Sequence, residues 1–91
     1  MRALVWDEAA ENDLVQILDY IAYDSPQAAL SLKAGIDRAI AAMLEFPDGF
    51  WPGRIAGTRE MVVHPNYIVI YRVLTHAVQV VSVLHARREY P

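Results

Sequence analysis

Residues 67–73 read YIVIYRV, and this stretch decides the fold. Its β-branched and aromatic side chains lack the 3.6-residue spacing of a helix and predict a strand. Within residues 67–71 both alternating sets of side chains are apolar, so the strand is expected at the centre of a sheet. Further strands are predicted at residues 58–63 and 77–84, with connections at 64–66 and 74–76. Such short connections favour antiparallel neighbours.

The residues before this sheet have the pattern of one strand and two helices. Residues 3–6 predict a short strand, and Asp7 is expected to cap a helix over residues 7–23. Ser25 followed by proline suits the start of a second helix, which residues 46–49 end. The apolar residues of both helices recur with helical period and are expected in the core. The predicted fold is α+β, in the order β-α-α-β-β-β, with a helical hairpin packed on a small, mainly antiparallel sheet.

Length and composition fit a single domain over residues 1–91. The apolar content is 55% and the charged content 21%, as in an ordinary globular protein. The absence of cysteine excludes disulfides, thiolate metal sites and a cysteine nucleophile. The N-terminus lacks the pattern of a signal peptide, and no apolar run is long enough to span a membrane. A cytoplasmic protein without membrane association is therefore expected.

The charges are segregated along the chain. Residues 1–53 carry three basic residues against nine acidic ones, a net charge of -6. Residues 54–91 carry five arginines against two glutamates, a net charge of +3. Arginine suits paired hydrogen bonds to carboxylate or phosphate, so the second half is the expected target-binding surface. A mixed solubilising surface is the alternative, but it does not account for the missing lysines there.

Several landmarks follow one another along the chain. Those of the first half are Trp6, Asp13-Leu14, Tyr20-Ile21-Ala22 and Phe46-Pro47. Those of the second half are Gly53-Arg54, Gly57-Thr58-Arg59-Glu60, residues 67–73 and Val83-Leu84-His85-Ala86-Arg87-Arg88. In their order and spacing, over essentially the whole chain, they resemble the RelE/ParE superfamily of toxins from bacterial type II toxin–antitoxin systems. The β-α-α-β-β-β order of that family agrees with the order predicted from periodicity.

The resemblance implies a growth-inhibiting toxin, but the family places two functions on one fold. RelE-like members cut mRNA on the ribosome, whereas ParE-like members poison DNA gyrase. RelE-type nucleases have basic residues at four positions of the sheet and its end. Here Arg59 matches the first, whereas Met61, Ile68 and Ala86 match the others, with Arg87 replacing Ala86 if the alignment slips by one residue. The resemblance therefore favours a ParE-like gyrase poison.

One histidine supports the alternative of a ribosome-dependent mRNA interferase. In YafQ-like nucleases a histidine at the end of the last strand is catalytic, and His85 matches it. Histidine takes up and releases a proton near neutral pH. The catalytic set under this alternative is His85, Arg59, Arg87 and Tyr90. A structural role is also open, in which His85 hydrogen-bonds the neighbouring backbone and orders the tail.

The other two histidines, His64 and His76, lie in predicted turns. Their spacing with His85 matches no metal template. No metal, cofactor or small-molecule ligand is expected.

The resemblance also implies partners. These are a cognate antitoxin of ParD or RelB type and either DNA gyrase or, alternatively, the ribosome and mRNA, with operator DNA reached only through the antitoxin. The expected target-binding residues are Arg54, Arg59, Arg72, His85, Arg87 and Arg88. The antitoxin is expected to lay an amphipathic helix on the helical hairpin, with or without an added edge strand. The hairpin residues expected to contact it are Leu14, Ile17, Ile21, Leu32 and Ile36. A third alternative is an inactive relative that acts only as a co-repressor with its antitoxin.

Two further features have structural interpretations. Trp51, beside the segment of residues 52–57 rich in glycine and proline, is expected to cover the core, and an exposed partner anchor is the alternative. An alternative role for four arginines is to anchor the C-terminal tail to the sheet through ion pairs with Glu60 or Glu89, and Arg72 is the first candidate for it. The four are Arg54, Arg72, Arg87 and Arg88.

Overall fold

Two helices and five strands form the part of the chain that the computed structural model describes, residues 2–87. They are β1 (Ala3–Trp6), α1 (Glu8–Asp24), α2 (Pro26–Glu45), β2 (Trp51–Pro52), β3 (Arg59–His64), β4 (Tyr67–Val73) and β5 (Ala77–His85), with a 3-10 turn at Pro47–Gly49. The predicted α+β fold and its β-α-α-β-β-β order are confirmed, and β2 is an addition to that order. Neither helix in this range has the length and hydropathy needed to cross a membrane.

The two helices meet at Ser25, which ends α1 and begins α2. Its backbone N–H donates to the Ile21 carbonyl at 2.9 Å. Its Oγ accepts from the Ala28 N–H at 3.1 Å, so the predicted cap of the second helix is confirmed. One residue thus serves both helix ends, which makes the hairpin tight.

The predicted cap of the first helix is wrong in its hydrogen bonding. Asp7 does precede α1, but its side chain makes no cap hydrogen bond. Its Oδ1 instead accepts from Gln79 Nε2 at 2.7 Å. The Asp7 carboxylate, which was predicted to cap the helix, therefore binds a side chain of β5 instead.

The five strands form one mixed sheet in the order β1-β5-β4-β3-β2. β1 runs parallel to β5, and the other three pairs are antiparallel. The helical hairpin connects β1, at one edge of the sheet, to β2 at the other edge. β2 lies in a stretch predicted to be loop, where Trp51 pairs with Glu60 and Pro52 with Arg59. Because Pro52 has no N–H to donate, this edge strand ends there.

The helices cover one face of the sheet, here called the inner face, and the opposite one is the outer face. The core on the inner face comprises Ala10, Leu14, Leu32, Ile36, Ile40, Met43, Met61, Val69, Tyr71, Val78, Val80 and Val83. Ile68 and Ile70 alternate with these inner residues along β4 and so belong to the outer face, where they too are buried. The prediction that β4 is apolar on both faces is confirmed.

An irregularity in β5 is held in place by α1. Ile70 pairs with Ser82 but Tyr71 pairs with Val80, so one extra residue bulges out of β5. Oδ2 of Asp13 accepts from Ser82 Oγ at 2.9 Å and from the Val83 N–H at 3.1 Å. One carboxylate on α1 thus satisfies the bulge and fixes the helix against the sheet.

We expect Asp13→Ala to lower the free energy of unfolding by about 1–3 kcal/mol, because a partly buried hydroxyl and N–H lose their acceptor. Asp19→Ala is the matched control, since Asp19 is an exposed carboxylate on the same helix. Its effect should stay within about 0.5 kcal/mol. Urea denaturation followed by far-UV circular dichroism measures both variants, and equal losses would contradict the role of Asp13.

Candidate functional site

Arg59, a predicted catalytic and target-binding residue, braces the segment after α2. Its Nη1 donates to the Phe50 carbonyl at 3.0 Å and to the Asp48 carbonyl at 3.3 Å. Its Nη2 lies 3.5 Å from Oδ1 of Asp48. The side chain is half-buried, and its hydrogen-bonding groups are engaged with this segment. Its first role in the structure is to fix backbone.

Arg54 is part of the loop between β2 and β3, and Arg72 lies against that loop. The Arg54 N–H donates to Glu60 Oε2 at 3.0 Å, and Arg54 Nε lies 3.7 Å from the same oxygen. Nη1 of Arg72 donates to the Ala56 carbonyl at 3.4 Å. The predicted ion pair with Glu60 is therefore made by Arg54, while Arg72 holds the loop through a carbonyl. Both arginines belong to one region of the molecule.

His85 lies at the other end of the sheet, packed against Tyr67 with ring centroids 5.3 Å apart in an edge-to-face arrangement. Its Nδ1 accepts from the Arg87 N–H at 3.2 Å. A backbone hydrogen bond of this kind was expected if His85 has a structural role. His85 and Tyr67 line a shallow depression with Asp13 and Tyr20 of α1.

The structure separates two of the predicted catalytic residues, Arg59 and His85, whereas Arg87 lies two residues beyond His85 and donates its backbone N–H to it. Arg59 pairs with Tyr71, whereas His85 pairs with Tyr67, four positions along the same strand. At about 3.3 Å per residue these positions are roughly 13 Å apart. The expectation that Arg59 and Arg72 lie near His85 is corrected, because the strand register places His85 at the opposite end of β4. Arg88 and Tyr90 lie outside the described residues.

Three of the four positions where the resemblance expects a RelE-type nuclease to carry positive charge hold apolar side chains, and the first holds Arg59. Met61 is buried in the inner core, and Ile68 is buried on the outer face. Ala86 follows β5 in a turn. Within residues 2–87, moreover, no three His, Asp or Glu side chains are arranged to hold a metal ion.

The hairpin residues predicted to contact an antitoxin lie mainly in the core. Leu14, Leu32 and Ile36 are buried there, and Ile17 and Ile21 are partly buried against it. They have little exposed surface, because helical period identifies the face that packs on the sheet. Leu14 also borders a depression between the two helices.

Sequence reasoning missed a surface feature of the helical hairpin. Two depressions between α1 and α2, both bordered by Lys33, are together called the groove of the hairpin. Val15, 55% exposed, and Leu30, 66% exposed, supply apolar surface along it. The signal in the sequence was their position, since both interrupt an otherwise polar helix face.

Trp51 does not cover the core. Its side chain is 76% exposed, so the predicted lid is wrong and the alternative of an exposed aromatic residue applies. The neighbouring Phe50 takes the inner position and packs edge-to-face on Tyr71, with ring centroids 6.4 Å apart. Sequence alone did not distinguish which of two adjacent aromatic residues faces inward.

Tyr71 fixes the same segment from within the core. Its side chain is fully buried, and its hydroxyl donates to the Pro47 carbonyl at 2.7 Å. Burial raises the pKa of Tyr71 to about 12, which Arg59 opposes and Asp48 reinforces. Tyr71 therefore remains a neutral hydrogen-bond donor well above physiological pH.

Comparisons with known proteins agree on one family. A family model described as the ParE toxin of the type II toxin–antitoxin system parDE matches residues 4–90. The chain is 38% identical to putative toxin Y4kP of Sinorhizobium fredii over 87 residues, covering 94% of this chain and 90% of the relative. It is 37% identical to toxin RelE2 of Caulobacter vibrioides over 90 residues, covering 97% and 99%. The structure resembles a chain from the chromosomal ParDE system of P. aeruginosa, with a TM-score of 0.82, 21% identity and coverage of 93% and 96%.

We expect Tyr71→Phe to destabilise the protein by about 1–2 kcal/mol at pH 7, because the Pro47 carbonyl loses its buried donor. The folded pKa of Tyr71, about 12, exceeds the value near 10 of an unfolded tyrosine. The stability it contributes is therefore present below pH 10 and is lost as pH rises towards 12. Tyr71→Phe should make this alkaline decline shallower.

The control is Tyr23→Phe, because Tyr23 is 91% exposed and does not belong to the core. Urea unfolding at pH 7, 10 and 11 measures the three proteins. An unchanged alkaline decline in Tyr71→Phe would show that another group causes it.

Proposed function

The chain belongs to the ParE toxin family of type II toxin–antitoxin systems, and on this basis we propose that it is a ParE-like poison of DNA gyrase, silenced by a cognate antitoxin. That it is the toxin of such a system follows from the family. The choice of gyrase as target is the proposal. Its main support comes from two sheet positions, Met61 and Ile68. A RelE-type nuclease would need basic side chains there, and this chain has apolar ones.

Cutting RNA through its 2′-hydroxyl requires a base, an acid and positive charge around one phosphate. Met61 and Ile68 supply none of these and are buried. Arg59, the basic match within the sheet, is engaged with Asp48 and Phe50. This arrangement supports a toxin that acts by binding a protein.

An mRNA interferase is the second candidate, because His85 lines an open depression beside Tyr67. Nδ1 of His85 accepts a backbone hydrogen bond, so Nε2 is the atom that would exchange protons with RNA. The nearby side chains of the depression, Asp13 and Tyr20, add no positive charge. Among the residues that line this depression, a catalytic His85 would therefore have no lysine or arginine to assist it.

The target is tested with purified toxin in two parallel assays. Trapping of cleaved DNA by gyrase, with intact mRNA in a translation reaction, is the expected result. Cleavage of translated mRNA without gyrase trapping would overturn the proposal. A protein inactive in both assays, and without effect on growth, would favour a co-repressor role.

His85→Ala provides a second test in cells that lack the antitoxin. A gyrase poison should keep its toxicity within a few-fold, because His85 packs at the end of the sheet away from Arg54 and Arg72. The control His76→Ala alters an exposed histidine in a turn. Survival of cells that express His85→Ala, with continued killing by His76→Ala, would support the interferase instead.

The antitoxin is proposed to occupy the groove of the hairpin. Leu30→Asp should weaken antitoxin binding by at least about tenfold, because it places a charge in an apolar contact. Gln27→Asp adds the same charge on an exposed part of α2 outside the residues that line the groove. Isothermal titration calorimetry with the cognate antitoxin compares them, and equal effects would count against this location.

A further inference from the structure

Trp51 is held rigidly at the surface. The backbone before it is fixed by Tyr71, which donates to the Pro47 carbonyl, and by Arg59, which donates to the Phe50 carbonyl. Trp51 itself pairs with Glu60 in the sheet. A large aromatic side chain on a fixed backbone loses little conformational freedom when it binds a partner. The core does not use Trp51, so its exposure needs another explanation.

The register places Trp51 on the outer face. Residues directly opposite in an antiparallel pair share a face, and Glu60 alternates with the inward Met61. Val62 lies two residues beyond Glu60 on that face and is 67% exposed. Arg54, whose side chain is 51% exposed, lies beside Glu60. Tryptophan and arginine are the residue types that most often dominate binding energy at protein interfaces.

The charges around this region differ in sign from those of the helices. Two arginines, Arg54 and Arg72, lie at the loop beside Trp51, and the acidic residue there is Glu60, which is close to Arg54. Between residues 7 and 48 there are nine acidic residues and two basic ones. A partner on the sheet side is therefore favoured by acidic charge, whereas one on the helical hairpin is favoured by basic charge.

We propose that Trp51, Val62 and Arg54, here called the outer anchor, bind an acidic surface segment of the toxin's protein target. The anchor is distinct from the antitoxin groove and lies on the opposite side of the sheet. The proposal rests on the proposed function in that it takes the target to be a protein. Gyrase is the probe for that target.

Trp51→Ala is the first test. It should weaken binding to purified gyrase by about 30-fold or more, as expected for an interface residue of this kind. Affinity for the antitoxin should be unchanged, and circular dichroism should be that of the original protein. Trp51→Phe should restore part of the binding, and Arg54→Glu should weaken it through charge.

Tyr23→Ala is the matched control, since Tyr23 is an exposed aromatic residue on α1 and should leave gyrase binding unchanged. Gyrase binding that is unaffected by Trp51→Ala overturns the outer anchor. So does an equal loss of affinity for gyrase and antitoxin, which would indicate one shared surface. A loss of RNA binding with gyrase binding intact also overturns it.

A growth assay separates this proposal from the choice of gyrase. If the original protein neither binds nor traps gyrase, the proposed function fails. The outer anchor then stands if Trp51→Ala abolishes toxicity while antitoxin binding and any mRNA cleavage are unchanged. It falls if that variant remains toxic.

Fluorescence gives an independent readout. Trp6→Phe leaves Trp51 as the single tryptophan of the chain. Its emission should shift to the blue when the target is added and should not shift when the antitoxin is added. A shift with the antitoxin alone would contradict the placement of the two partners on different faces.

Discussion

Strand β5 is the constraint on which the structure depends, because it joins the two ends of the chain. It accepts β1 in parallel on one edge and β4 in antiparallel on the other. It also meets α1 through Asp13, whose carboxylate satisfies the bulge at Ser82 and Val83. The helical hairpin leads from β1 at one edge of the sheet to β2 at the other, and Ser25 serves both of the helix ends that meet within it.

Local pattern predicted the elements well because each depends on neighbours in sequence. β4 has the bounds expected from residues 67–73, and Ser25 caps α2 as predicted. The errors concern contacts between distant residues. Asp7 was expected to cap a helix, but Gln79 is far away in sequence and competes for its carboxylate. Trp51 was expected to be buried, but long-range hydrogen bonds from Tyr71 and Arg59 decide how its segment lies.

The candidate site was predicted less well for related reasons. Arginine in a sequence indicates positive charge but not whether the guanidinium is already engaged, as that of Arg59 is with Asp48 and Phe50. The helical period of the apolar residues identified the buried face of the hairpin. The surface open to a partner consists of the remaining, exposed residues of the two helices. Apolar residues outside the buried face, such as Val15 and Leu30, were the informative ones.

The separation of the hairpin groove from the outer face has an evolutionary consequence. A gene for a growth inhibitor is readily inactivated by mutation, and an exposed tryptophan such as Trp51 can be lost without disturbing the core. Under the proposed placement of the two partners, a copy inactivated in this way would keep its groove and would still sequester antitoxin. Such a relic would act as a decoy that lowers the antidote available to other toxins in the same cell.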